Sequence, residues 1–170
     1  MAGLGQATRA NRLMPPKFLA VDREARFPNL NRGEYEVTSD ETADYNCIAH
    51  AAGKNDNWWW PDDPPAYWPD GHDKAETLDA FVKVYATVGF IHDGNNNSAL
   101  EVGIEKVAIY VDAHGIPTHA ARQLADGTWS SKLGEWEDIQ HKTLKAMEDD
   151  GLGLGYGKVA VILRRPYAGS

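Results

Sequence analysis

Hydrophobic positions in this chain change period several times, and each change marks an element. Between Lys74 and Val88, the residues Leu78, Phe81, Val82, Tyr85 and Val88 recur at helical spacing, which predicts a helix ending at Gly89. Upstream, Asp44-Tyr-Asn-Cys-Ile-Ala-His-Ala-Ala-Gly53 predicts a shorter helix. Asp44 is a fair N-cap, Ile48, Ala49, Ala51 and Ala52 continue the helix, and Gly53 ends it. Downstream the pattern turns extended. The runs Lys106–Asp112, Thr118–Leu124 and Thr128–Leu133 are separated by the turns Ala113-His-Gly115 and Ala125-Asp-Gly127. An Asp-Gly between extended runs is a good hairpin signal. Asp138–Asp149 reads as a helix, with Ile139, Leu144 and Met147 marking an uneven apolar face. The Gly-rich stretch Gly151–Gly157 leads into a last strand, Lys158–Arg164. Residues 1–40 hold little periodicity. Met14-Pro-Pro16 and Phe27-Pro28 predict an extended arm lying over the body, and Val37–Asp40 a lead-in to the first helix. The resulting order is helix, helix, three antiparallel strands, helix, strand. That predicts an α+β domain over residues 41–170, with helices packed on a mostly antiparallel sheet.

Composition narrows the class. At 170 residues, with 42% hydrophobic and 25% charged residues, the chain is globular and large enough for a proper core. A net charge of −8 argues against nonspecific nucleic-acid binding and against anionic membrane surfaces. Met1–Met14 lacks the apolar core of a secretory signal, so a cytoplasmic location is the expectation, with export by a route needing no such signal the alternative. One cysteine excludes an intrachain disulfide.

That cysteine, Cys47, is the first candidate for chemistry. In the first turn of its helix, the helix dipole and free N–H groups favour a thiolate. A Cys opening a helix followed by a His on a later strand, here His119, is one way to build a cysteine hydrolase. His119 would deprotonate Cys47 and return the proton to the leaving group. Asp138 is the preferred group to orient the imidazole, with Ser131 and Gln123 as alternatives. The oxyanion would meet the Cys47 N–H and a side-chain donor, Asn46 or Gln123. Such a site needs no cofactor, and a peptide or protein is its natural substrate. Trp58, Trp59, Trp60 and Trp68 fall in a Pro- and Asp-rich loop, where they would either wall the cleft or roof the core. A third possibility is zinc: Cys47 and His50 share a helix face at a spacing of three, and His119 and His141 would complete a Cys–His₃ set. Without chemistry at Cys47, the chain reads as a protein-binding module, such as an immunity or accessory factor.

A helix-borne Cys, then Val107-Ala-Ile-Tyr-Val111, a turn, and Thr118-His-Ala-Ala121 resembles the papain-like cysteine hydrolases, the NlpC/P60-type group most of all. In that group the catalytic His opens the Val-x-Ile-Tyr strand. Lys106 holds that position here, and His119 falls where such enzymes carry the orienting residue. Further segments, among them Trp58-Trp-Trp-Pro61, Ser131-Lys-Leu-Gly134 and Asp138-Ile-Gln-His141, resemble a bacterial protein family of unknown activity over about residues 44–166. The papain-like resemblance implies a peptidase, amidase or deamidase acting through Cys47 and His119.

Overall fold

The extended runs downstream of residue 104 join two shorter strands in one six-stranded sheet. The computed structural model describes residues 17–167, so Met14-Pro-Pro16 lies outside the described residues. Its strands are β1 (Tyr35–Ser39), β2 (Ile104–Val111), β3 (Pro117–Gln123), β4 (Trp129–Lys132), β5 (Asp138–His141) and β6 (Lys158–Pro166). They lie in the order β1-β5-β4-β3-β2-β6, and every neighbouring pair is antiparallel. Among the described residues the α-helices are α1 (Val21–Glu24), α2 (Cys47–Ala51) and α3 (Leu78–Ala86). The molecule is therefore α+β. No helix among the described residues is long and apolar enough to cross a membrane.

Strand β2 reads as a continuous apolar run because both of its faces are covered. Val107 and Ile109 join Ala120, Val161 and Leu163 under α2, α3 and the Trp loop. Ala108 and Tyr110 point the other way, into a second core with Ala121, Trp129, Leu133, Ile139 and Ile162. We call these the helix face and the reverse face. Leu19, Phe27, Leu30 and Tyr35 close the reverse face, so residues 17–40 do more than lie over the body as an extended arm. They contribute α1 and the edge strand β1, where a simple lead-in to α2 was expected. In β1, Tyr35 pairs with His141 and Val37 with Ile139.

Two local expectations are corrected. Asn46, not Asp44, caps α2: its Oδ1 accepts from Ala49 N and Trp59 N, both at 3.1 Å, and its Nδ2 donates to Trp59 O at 2.9 Å. One amide thus starts the helix and moors the Trp loop. Asp138–Asp149 is not a helix but β5 followed by a 3₁₀ turn, Leu144–Met147, which Thr143 caps. The alternation of β5 is hidden because one of its two reverse-face residues is polar: Ile139 and His141 point in, Asp138 and Gln140 to the helix face.

His141 is tolerated there by a hydrogen-bond relay. Its Nδ1 lies 2.8 Å from the Thr143 carbonyl, which can only accept, so Nδ1 carries the proton of the neutral ring. Nε2 then accepts from the Ser131 hydroxyl at 2.8 Å, and Ser131 Oγ accepts from His119 Nε2 at 2.9 Å. His119 stacks on Tyr156 with centroids 4.1 Å apart and is fully buried. Its Nδ1 keeps a lone pair with no partner among the described residues.

Burial pushes His141 down to about 4, with the Thr143 carbonyl acting the other way, and it pushes His119 well below the ordinary imidazole range. Above about pH 6.5 both rings are neutral whether folded or unfolded. As pH falls from there toward 4, the unfolded chain binds a proton at His141 that the native state refuses, so stability is lost across that window. One shift of this size corresponds to roughly 3 kcal/mol. Urea midpoints at pH 7 and pH 4.5 should therefore differ less in His141→Gln than in the unaltered chain. An equal pH dependence in both would contradict the neutral relay.

Candidate functional site

Cys47 opens α2, and its thiol meets the Ala120 backbone on β3. It is 7% exposed, and desolvation pushes it up to about 11 despite opposing contributions from the Ala120 backbone and the first N–H groups of α2. The dipole of a five-residue helix does not offset that burial. The expected thiolate is not favoured.

His119 is not brought to Cys47. It pairs with Tyr110 across the ladder and shares its face, whereas Ala120 faces α2. The two expected partners stand on opposite sides of the sheet. The other assignments separate in the same way. Ser131 bridges His119 and His141 on the reverse face. Gln123 donates to the Ser98 and Gly127 carbonyls. Asn46 is consumed by its cap and the Trp loop. The Cys47–His50–His119–His141 zinc set is split two and two by the sheet. Among the described residues no three His, Cys, Asp or Glu side chains group to hold a metal. Lys106, where the NlpC/P60 pattern has its His, is buried on the reverse face and bonded to the Asn97 and Ala99 carbonyls at 2.7 Å each and to Glu101 at 2.6 Å.

The Trp loop is mainly a roof. Trp60 and Trp68 pack edge-on to Phe81 at 5.3 and 5.1 Å, and Trp59 and Trp68 are buried. The indole N–H groups of Trp58, Trp60 and Trp68 donate to Ala43 O, Glu76 and Asp73 O. Trp59 borders a cleft of about 420 Å³ that it shares with Tyr67 and Lys54.

A different set does converge. The last turn of α2 sends His50 onto β4, where its Nε2 lies 2.8 Å from Ser130 Oγ. Its Nδ1 is 3.9 Å from Asp138 Oδ2, which accepts from the Tyr45 hydroxyl at 2.7 Å. The Tyr45 ring stacks on His50. Lys132 and Asp138 are cross-strand partners on this face, as are Arg122 and Ser130. His50 is held below the ordinary imidazole range by burial first, with Asp138 pulling it up and Arg122 and Lys132 pushing it down.

This cluster borders a cleft of about 350 Å³ lined by His50, Gly53, Lys54, Asn55, Arg122, Leu124 and Ser130. Gly53 has φ +80°, a conformation that favours glycine, and it packs beside the Arg122 guanidinium, which a Cβ there would displace. A larger cleft, about 450 Å³, runs along β1 and β5 among Arg32, Glu34, Glu36 and Asp126, with charges of both signs and no convergent cluster. Ser130 and Arg122 escaped the sequence reading as site residues. The signal was the Asp126-Gly127 turn, whose hairpin register sets Arg122 opposite Ser130.

A family model described as a domain of unknown function, DUF7689, matches residues 36–164. No curated protein and no solved structure matches the chain. The matched span includes α2, α3, strands β2 to β5 and every residue lining the cleft beside α2. The chain belongs to the DUF7689 family.

Proposed function

We propose that the chain is a binding domain whose recognition site is the cleft beside α2, and that Cys47 packs rather than reacts. The observation that carries this reading is the charge of the cleft. In a chain of net charge −8, its lining holds Lys54 and Arg122 and no carboxylate. Arg122 bonds Glu105, but Arg165 bonds the same carboxylate at 2.6 Å, so two guanidiniums share one negative charge. Lys54 has no ion-pair partner among the described residues. Such a lining suits a carboxylate presented by a peptide or protein partner. The papain-like relationship belongs to the same proposal. Helix α2 laying Cys47 on β3 is in keeping with it, and Ala120 occupies the place where a base would face the thiol.

Two experiments test the reading. Alkylation of Cys47 should be slow in the native protein and speed up with urea in step with unfolding. Rapid native modification that persists below pH 7 would restore Cys47 as a nucleophile. Titration with N-acetylglutamate, followed by amide shifts, should move Ser130, Arg122 and Lys54 saturably, less so at high salt and less in Lys54→Glu. An equal response to the neutral diamide would remove the proposed anion preference.

A further inference from the structure

We infer that the cleft beside α2 also hydrolyses acyl esters, with Ser130 as nucleophile, His50 as general base and Asp138 behind the imidazole. For its preferred substrate this rests on the anionic-ligand reading above; for its chemistry it does not.

The three residues come from β4, α2 and β5, and the fold sets them in the order that the chemistry needs. Ser130 Oγ is within hydrogen-bond reach of His50 Nε2, at 2.8 Å. Asp138 Oδ2 stands on the Nδ1 side of the ring, at 3.9 Å. A carboxylate there favours the Nδ1–H tautomer, which leaves the Nε2 lone pair to accept the Ser130 proton. The 3.9 Å separation is longer than a hydrogen bond, and catalytic contacts of this kind tighten when substrate closes the site. The Tyr45 hydroxyl fixes Asp138 Oδ2 at 2.7 Å, and Asp138 Oδ1 is buried with no partner among the described residues. The carboxylate therefore has acceptor capacity unused in the resting protein.

Accessibility separates Ser130 from its neighbour. Ser131 is sealed in the reverse core between two imidazoles, whereas Ser130 lines an open cleft. Arg122 is the cross-strand partner of Ser130, and it lines the same cleft. Its Nη2 serves Glu105, which leaves Nη1 as a donor for an oxyanion formed at Ser130.

The reaction balances without a cofactor. Ser130 Oγ bonds to the ester carbonyl carbon as its proton passes to His50 Nε2, and the carbonyl oxygen becomes an oxyanion beside Arg122. Collapse breaks the carbon–oxygen bond to the leaving alcohol, which takes the proton from His50. Water then attacks the acyl-Ser130 ester, giving its proton to His50. Collapse releases the acid, and Ser130 recovers the proton. The net change is ester plus water to acid plus alcohol. Lys54 at the cleft wall selects an acyl group that carries a second, free carboxylate.

The test uses p-nitrophenyl hemisuccinate with the full chain, read by p-nitrophenol release and by mass spectrometry of acid-quenched protein. A succinyl group on Ser130 is expected, with hydrolysis rising as His50 loses its proton. Ser130→Ala and His50→Gln should each lower kcat/KM by about a hundredfold or more. Cys47→Ala should leave it unchanged, which separates serine from cysteine chemistry. Amide spectra of each variant establish that it is folded. Hydrolysis equal in folded Ser130→Ala, or no acyl-Ser130, overturns the inference. N-acetylglutamate binding without ester cleavage also overturns it while leaving the binding reading intact. Acyl-Ser130 formed as fast from p-nitrophenyl acetate upholds the chemistry and removes only the charge preference.

Discussion

A pleated strand sends successive side chains to opposite faces, and β3 lies where that rule divides the molecule. His119 and Ala121 face the reverse core, while Ala120 and Arg122 face α2. Everything that follows for function turns on this parity. It separates Cys47 from His119 although both lie near the same strand. It also puts Arg122 on the side of Ser130, and through Ser130 on the side of His50. A one-residue slip of β3 would exchange the two sets, but it would also bring the polar His119 and Gln123 under α2. The apolar packing of Ala120 against α2 and of Ala121 in the reverse core therefore fixes the polar geometry of the cleft.

Each face buries polar groups, and each holds most of them in a different way. At its centre the reverse face uses a chain of neutral donors and acceptors, from His119 through Ser131 and His141 to the Thr143 carbonyl, with the Lys106–Glu101 pair at the far end of β2. The helix face uses charge. Lys132 is fully buried and donates to the carbonyls of Thr42, at 2.7 Å, Gly134, at 2.9 Å, and Trp136. Its ammonium lies 5.2 Å over the Tyr45 ring. Burial lowers its pKa, and Asp138 opposes that shift. One side chain thus holds both the segment entering α2 and the turn entering β5. Tyr45 and Asp138 are carried by those two segments, so Lys132 positions the group that stands behind His50.

The sequence was legible where one interaction type dominates. The α3 helix, the β2 run and the Asp-Gly hairpin announce themselves because apolar period or turn chemistry decides them alone. It was not legible where a polar residue replaces an apolar one in a buried position. His141 and Ser131 stabilise β5 and β4 through each other, a contact between residues ten apart that no local period displays. Asp44 and Asn46 both offer a capping side chain before α2, and what sets Asn46 apart is its second role, the bonds to Trp59 thirteen residues away. Of the candidate site, the sequence singles out Asp138 and His50, though for other partnerships: Asp138 to orient His119, and His50 as a zinc ligand. The fold instead sets His50 between Ser130 and Asp138.

His50 also shows why the convergent set differs from an ordinary tether between helix and sheet. Burial, Arg122 and Lys132 all disfavour a proton on this ring, and Asp138 favours one. The resting imidazole is neutral, yet a compensating carboxylate stands on its far side. Under the proposed chemistry, two charges appear together: a cation on His50 and an anion on the acyl oxygen. The cation would form beside Asp138 and the anion in the cleft that Arg122 lines. Preorganised charges of this kind stabilise a transition state without the cost of reorienting water. A simple helix-to-sheet contact would need only the Ser130–His50 bond. Under the proposed chemistry, the opposed charges on either side of that bond would assist the transfer of its proton.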